Sequence, residues 1–209
     1  MTLPRVFPIF PLDQVILVPG AMLPLHIFEP RYRDMVADAL AGDRSIAMGM
    51  PANQGQTGAG LDPQLHPVCG LGRIVHHQQY PDGRSDILLE GLSRMMIEAE
   101  LDSGKSYRVV RAGRLEEIVP ADDVTERASL LLSRAMAFDD DECALLAKLP
   151  LGRMLDSVLL RIPVPMNVKQ EIFAAAHLGD RLDALEVVLD KLDEPPSLLC
   201  FDADDPRLN

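Results

Sequence analysis

The spacing of apolar residues changes near residue 116, and that break confines the chain to a strand-rich unit followed by a helical one. After it, Val124, Ala128, Leu131, Leu132, Ala135 and Met136 recur on one helical face. Leu151, Met154, Leu155, Val158 and Leu159 repeat the pattern, and Pro165 opens a third helix containing Val168, Ile172 and Ala176. Gly179-Asp180 starts a fourth, with Leu182, Leu185, Val188, Leu189 and Leu192 along it. Each such stripe must be buried against another element, so the pattern predicts a small helical bundle.

Before the break, apolar runs are short. Residues 6–10, 14–18, 22–28 and 45–50 read as strands, and prolines at 4, 8, 11, 19 and 24 argue for short, irregular edge strands. One helix interrupts them: Pro30 suits a first helical position, Tyr32, Met35, Val36, Ala39 and Leu40 follow at helical spacing, and Gly42 caps the end. Residues 69–80 and 85–90 flank the turn Pro81-Asp82-Gly83-Arg84, and residues 92–101 and 107–115 flank Asp102-Ser103-Gly104-Lys105. Two successive hairpins indicate an antiparallel barrel. The expected fold is α+β: a β unit with one helix over residues 1–116, a helical bundle over 117–194 and a tail over 195–209. Residues 51–67 are Gly-, Gln- and Pro-rich and read as a long loop, a place to look for binding.

Charge follows the same division. The 209 residues carry a net −12, of which −2 falls on residues 1–116 and −10 on 117–209. Such a balance disfavours nucleic acid, since phosphate neutralisation needs clustered Lys and Arg and base stacking needs more than 4% aromatics. A local strip of Arg73, Arg84, Arg94, Arg108, Arg111 and Arg114 keeps an RNA or small-molecule alternative in view. The acidic excess reads as the solvated face of the bundle. Cys69, Cys143 and Cys200 are odd in number and widely spaced, giving neither a disulfide framework nor a CxxC site. No signal peptide or spanning segment is visible, so a cytoplasmic protein is expected. The ten methionines serve interfaces and irregular cores alike and fix no oligomeric state.

Local motifs yield no catalytic, metal or cofactor site. Ser103-Gly104-Lys105-Ser106 lacks the first P-loop glycine, because Ala99 stands there, and strands flank it. There is no GxSxG. His76-His77 are adjacent on a strand and point to opposite faces. His177 closes a helix. Asp122-Asp123 and Asp139-Asp140-Asp141-Glu142 sit at helix starts, where the helix dipole favours carboxylates. Binding is favoured over catalysis.

Three segments, in order, resemble the N-terminal substrate-binding domain of the Lon protease family. The first is Phe7-Pro8-Ile9-Phe10-Pro11-Leu12, then Pro19-Gly20, then Leu23-Pro24-Leu25-His26-Ile27-Phe28-Glu29-Pro30-Arg31-Tyr32. The second is Gly72-Arg73-Ile74-Val75, then Pro81-Asp82-Gly83-Arg84, then Leu89-Glu90-Gly91-Leu92-Ser93-Arg94. The third is Lys169-Gln170-Glu171-Ile172-Phe173 followed by Asp180-Arg181-Leu182. The resemblance implies a PUA-like antiparallel β pseudo-barrel with one helix, followed by a helical bundle. It implies recognition of unfolded or partly folded polypeptide segments, with a protease or chaperone as partner. The ATPase and Ser-Lys peptidase modules of full Lon proteases find no counterpart in these residues, so a non-catalytic adaptor or regulator of proteolysis is expected.

The residues carried over as candidates are His26, Phe28, Glu29, Arg31, Tyr32, Asp82, Gly83, Glu90, Gly91 and Arg94. A structural role explains them too: prolines fix the path, aromatics fill the core and Gly91 permits a bulge. Phe28 and Tyr32 are expected to anchor the helix to the barrel. Glu29 and Arg31 are expected to pair with each other or with Arg94.

Overall fold

A computed structural model describes residues 4–52, 63–135 and 140–193. Most of the loop at 51–67, the tail 195–209 with Cys200, and Met136 and Asp139 lie outside the described residues. The elements run β1 (Arg5–Pro11), β2 (Met22–Ile27), α1 (Pro30–Ala41), β3 (Ser45–Gly49), β4 (Val68–Gln79), β5 (Ser85–Leu101) and β6 (Val109–Arg114). Then follow α2 (Thr125–Arg134), α3 (Asp140–Leu146), α4 (Leu151–Arg161), α5 (Met166–Ala174) and α6 (Leu178–Asp193).

The sheet order is β2-β5-β4-β3-β1-β6, and β6 also pairs with β5, so five strands close on themselves and β2 hangs outside the ring. Closure depends on the length of β5. Its first half pairs with β2 and β4, and its second half turns to β4 and β6. The two hairpins read from the sequence therefore share one 17-residue strand, bent rather than broken at Gly91. Leu71 pairs with Ser93 and Gly72 with Gly91, leaving Leu92 as the extra residue of a bulge. One pair departs from the antiparallel expectation: β1 and β3 run parallel, because β2 and α1 form the crossover that returns the chain in the same direction.

Residues 14–18, expected as a strand, instead cross the sheet surface outside any ladder. Gly70 and Gly91 make this possible. A Cβ on either would stand 2.1 Å from the carbonyl oxygen of Leu17 or Val18. The crossing is stitched by Gly20 N–H to Gly91 O at 2.7 Å and Gly91 N–H to Ala21 O at 2.9 Å. Ile16 and Val18 then enter the same apolar cluster as Leu131, Leu155, Phe173 and Leu182 of the helices, together with Met50 and Val68 from the barrel.

The helical half contains α3 in addition to the four helices expected. Its seven residues are too short to show an apolar stripe. Asp123 sits at the start of α2 as anticipated, its Oδ1 accepting the otherwise free Thr125 N–H at 2.9 Å. His177 opens α6 instead of closing α5, since its ring nitrogen accepts the Gly179 N–H at 3.2 Å. None of the described helices is long and apolar enough to cross a membrane.

Candidate functional site

The candidate residues separate into two groups on opposite sides of β5. On its outer side, the register places Met22 opposite Glu90, Pro24 opposite Leu88 and His26 opposite Asp86. Glu90, Leu88 and Asp86 in turn face Arg73, His76 and Gln78 of β4. Directly paired residues share a sheet face, so these side chains form one surface. Met22 is 51% exposed, and Phe28, just beyond the end of β2, is 59% exposed. Strand β2 pairs only with β5 among the described strands, which leaves its other edge open. Pro24 removes one N–H from that edge and limits uncontrolled pairing there.

Electrostatics organise both ends of this surface. At one end Arg73 donates to Glu90 at 2.9 Å. At the other, Asp86 joins its Oδ1 to His26 Nδ1 at 2.6 Å and accepts the Tyr80 hydroxyl on Oδ2 at 2.5 Å. The Tyr80 and His26 hydrogen bonds hold the Asp86 carboxyl below its ordinary range, and the same bond from Tyr80 pushes that phenol up. The His26 ring stacks on Phe28 with centroids 6.2 Å apart. Among the described residues, no serine, threonine or cysteine hydrogen-bonds to His26.

Phe28 does not anchor α1. Ile27, 1% exposed, takes the inward place, and strand alternation sends Phe28 out. The 28-to-32 spacing spans the helix boundary at Pro30, so helical periodicity does not govern it. Tyr32 is the anchor, packed on Phe10 with ring centroids 4.0 Å apart. Glu29 precedes α1 and accepts from Arg31 Nε at 3.0 Å, and the Arg31 guanidinium lies 4.6 Å above the Tyr32 ring centroid. Asp82 shapes the hairpin turn by accepting the Arg84 N–H at 3.0 Å, with Gly83 at φ +85°.

The other group lies beneath. Arg94 is 2% exposed and donates from Nη1 to the carbonyls of Phe173 and Ala175, at 2.6 and 2.7 Å. Its Nη2 meets Glu117 at 3.1 Å, so its carboxylate partner is Glu117 and not Glu29. Arg181, fully buried, bonds Asp156 and stands 3.9 Å from Glu117. Burial pushes the Asp156 carboxyl up and the Arg94 guanidinium down. Gln170 adds a bond to the Val68 carbonyl at 2.8 Å. These groups tie the barrel to the helices and offer no open site.

Sequence reasoning misses Met22, Tyr80 and Asp86. The available signal is the hairpin register, which sets Asp86 beside His26. The arginine strip does not form a free basic surface: Arg73, Arg84, Arg94, Arg108 and Arg111 each pair with a carboxylate. Lys105 of the Ser-Gly-Lys-Ser turn pairs with Asp38 at 2.9 Å, and Tyr107 donates to the same carboxylate at 2.6 Å. That turn is thus pinned to α1. The described residues at either side of the long loop form a short ladder, Ala52 N–H to Gln64 O and His66 N–H to Met50 O. Cys69 is buried and its thiol is pushed up to about 12, which makes it a packing residue. Among the described residues no group of three His, Cys, Asp or Glu side chains is placed to hold a metal ion.

With this geometry in place, the likeness to known proteins is specific. The chain is 27% identical over 194 residues to Lon protease of Trichlorobacter lovleyi, covering 91% of this chain and 22% of that protein. It is 23% identical over 195 residues to Lon protease of Escherichia coli, covering 88% and 24%. The chain thus spans about a quarter of the length of these relatives. Its fold matches the N-terminal domain of Mycobacterium avium complex Lon protease with a TM-score of 0.71 at 13% identity, covering 89% of this chain and 98% of that one. It matches the Lon N-terminal domain protein from Xanthomonas campestris with a TM-score of 0.62 at 21% identity, covering 88% and 98%. The model of the ATP-dependent protease La (LON) substrate-binding domain matches residues 6–191, nearly the whole chain, and the chain belongs to that family.

Proposed function

We propose that this chain is a recognition module for exposed apolar segments of unfolded or partly folded polypeptides. In this reading it serves proteolysis as an adaptor or regulator, with a protease or chaperone as its partner, and itself performs no chemistry. The observation that carries the reading is the outer β2-β5-β4 surface. It sets exposed Met22 and Phe28 beside an unpaired strand edge and flanks Pro24 and Leu88 with the Arg73–Glu90 and His26–Asp86 pairs. An extended segment adds main-chain hydrogen bonds at the edge of β2 and places alternate apolar side chains on the face. The polar pairs at either end set the limits of the apolar contact. Membership of the substrate-binding family supports the same reading.

The test is binding of an immobilised peptide array cut from an unfolded client, with native and Met22→Asp/Phe28→Ser protein. Apolar, extended peptides are expected to bind the native chain, with roughly tenfold loss in the double variant, as for the removal of two central anchors. Failure of every apolar peptide to bind sinks the proposal.

A further inference from the structure

We propose that a groove on the helical unit, walled by Val119 and Leu149, binds a polypeptide segment that presents one aliphatic side chain flanked by Lys or Arg. This site is separate from the outer β2-β5-β4 surface and does not depend on it. The groove lies between the segment leading into α2 and the connection from α3 to α4. Its volume is about 240 Å3, below the roughly 300 Å3 at which small-molecule pockets begin, so it fits a side chain better than a whole ligand. Met154 and the fully buried Ala128 form the floor, while Val119 is 68% and Leu149 38% exposed on the walls. Val119 is the most exposed of the large apolar side chains described.

Charge selects the occupant. Among the described residues, Asp122 and Asp123 line the groove and no Lys, Arg or His does. The groove at the far end of the bundle sets Asp193 against Arg134 and Arg161, and the one beside α1 mixes Glu100 and Asp102 with Arg31, Lys105 and Arg108, so both are of mixed charge. The hydrogen bonds from Thr125 hold the Asp123 carboxyl below its ordinary range. It is nonetheless exposed, as is Asp122, so both carboxylates are within reach of an arriving cation. The exposed Lys148 is a neighbour of the wall residue Leu149 but is not part of the lining. The surrounding half of the chain carries −10 of the −12 net charge, which favours the approach of a basic segment over an acidic one. The apolar walls give the depth of contact, and the two carboxylates exclude Asp- and Glu-flanked sequences.

The experiment is fluorescence anisotropy with three labelled decapeptides: a leucine flanked by lysines, the same leucine flanked by glutamates, and a serine flanked by lysines. The Lys-flanked leucine peptide is expected to bind about tenfold tighter than either of the others, and to weaken as salt rises. Val119→Ser/Leu149→Ser should remove the preference for leucine over serine. Asp122→Asn/Asp123→Asn should weaken the lysine peptides about fivefold and flatten the salt dependence, as expected for two exposed charge pairs. The amide introduced at position 123 keeps an oxygen to accept the Thr125 N–H, so the start of α2 is preserved. Val187→Ser, on an exposed part of α6 outside the groove, should leave all three affinities unchanged. Equal affinity for the lysine- and glutamate-flanked leucine peptides overturns the inference, as does an unchanged leucine preference in the Val119→Ser/Leu149→Ser protein. Loss of binding on Val187→Ser alone also overturns it, by moving the contact away from the groove.

Discussion

The two sides of β5 use the same vocabulary of charged pairs to opposite ends. Below the strand, Arg94, Arg181 and Asp156 are at most 2% exposed, and together with Glu117 they join barrel to bundle. Above it, Arg73–Glu90 and His26–Asp86 are about half exposed and frame a surface. A buried pair contributes by what its loss leaves uncompensated, whereas an exposed pair contributes little to stability and is free to serve recognition. The residues that carry the family resemblance therefore divide into builders, such as Gly91, Arg94 and Tyr32, and presenters, such as His26, Phe28 and Glu90. Substitution should separate the two classes sharply.

The largest expected effect is at Arg181. Arg181→Met leaves the buried Asp156 without its direct partner and should cost about 3–5 kcal/mol at neutral pH, measured by urea unfolding. Burial already raises Asp156, and removing the guanidinium raises it further. A carboxyl whose folded pKa lies above its unfolded value destabilises the fold at high pH, and the penalty shrinks as pH falls through the folded value toward 3.8. The variant should thus lose less, relative to the native chain, at pH 5 than at pH 7. The native chain has the opposite slope at lower pH. Asp38, Asp82, Asp86 and Asp123 are held below 3.8 by hydrogen bonds, and their contribution is lost as pH falls beneath that value. An unchanged gap between variant and native protein at the two pH values would dissolve the contrast between the faces of β5.

Next in size is Gly91→Ala. The added methyl meets the Val18 carbonyl at 2.1 Å, a backbone atom that a rotamer change does not move. Overpacking of this kind should cost about 1–3 kcal/mol. Thermal unfolding within error of the native protein would show that residues 14–18 are free to lift away, and Gly91 would leave the class of builders.

A smaller effect on folding, and a larger one on binding, is expected for Phe28→Ser. Phe28 is 59% exposed and belongs to no buried cluster, so stability should move by no more than about 0.5 kcal/mol. Affinity for apolar peptides should still fall several-fold. A loss of stability comparable to that of Gly91→Ala would make Phe28 a core residue and return it to the builders.

Much of this division is legible in the sequence, and the remainder is hidden for definite causes. The period change near residue 116 locates the passage from strands to helices, since β6 ends at Arg114 and α2 begins at Thr125. Turn chemistry locates both hairpins because Asp82 and Gly83 have strong local preferences. The crossing segment 14–18 reads as a strand because an extended apolar run looks the same whether it joins a ladder or lies across one. Only the distant Gly70 and Gly91 decide, and one sequence does not reveal which backbone approaches them. The parallel β1–β3 pair is hidden for a similar reason, because alternation specifies a face and not a direction. Arg94 stands among exposed residues in the family signature because sequence order says nothing of burial. Its partners Phe173, Ala175 and Glu117 lie 23 to 81 positions away.

The smallest effect expected lies wholly on the presenting side. Asp86 accepts from both His26 and Tyr80, and the Tyr80 phenol is pushed up chiefly by that bond. Asp86→Asn keeps the size and an acceptor oxygen but removes the charge that opposes ionisation of the phenol. The Tyr80 titration, followed by ultraviolet difference absorbance with Tyr32 and Tyr107 replaced by Phe in both proteins, should shift down toward 10. The urea midpoint of the Asp86→Asn protein should fall only slightly below that of its Tyr80-only parent, because every group involved is exposed or half-buried and water screens the lost charge. An unshifted Tyr80 titration would mean that the hydrogen bond does not persist in solution. His26 and Phe28 would then share a surface without sharing an ordered polar anchor, and the outer face would rest on its apolar contacts alone.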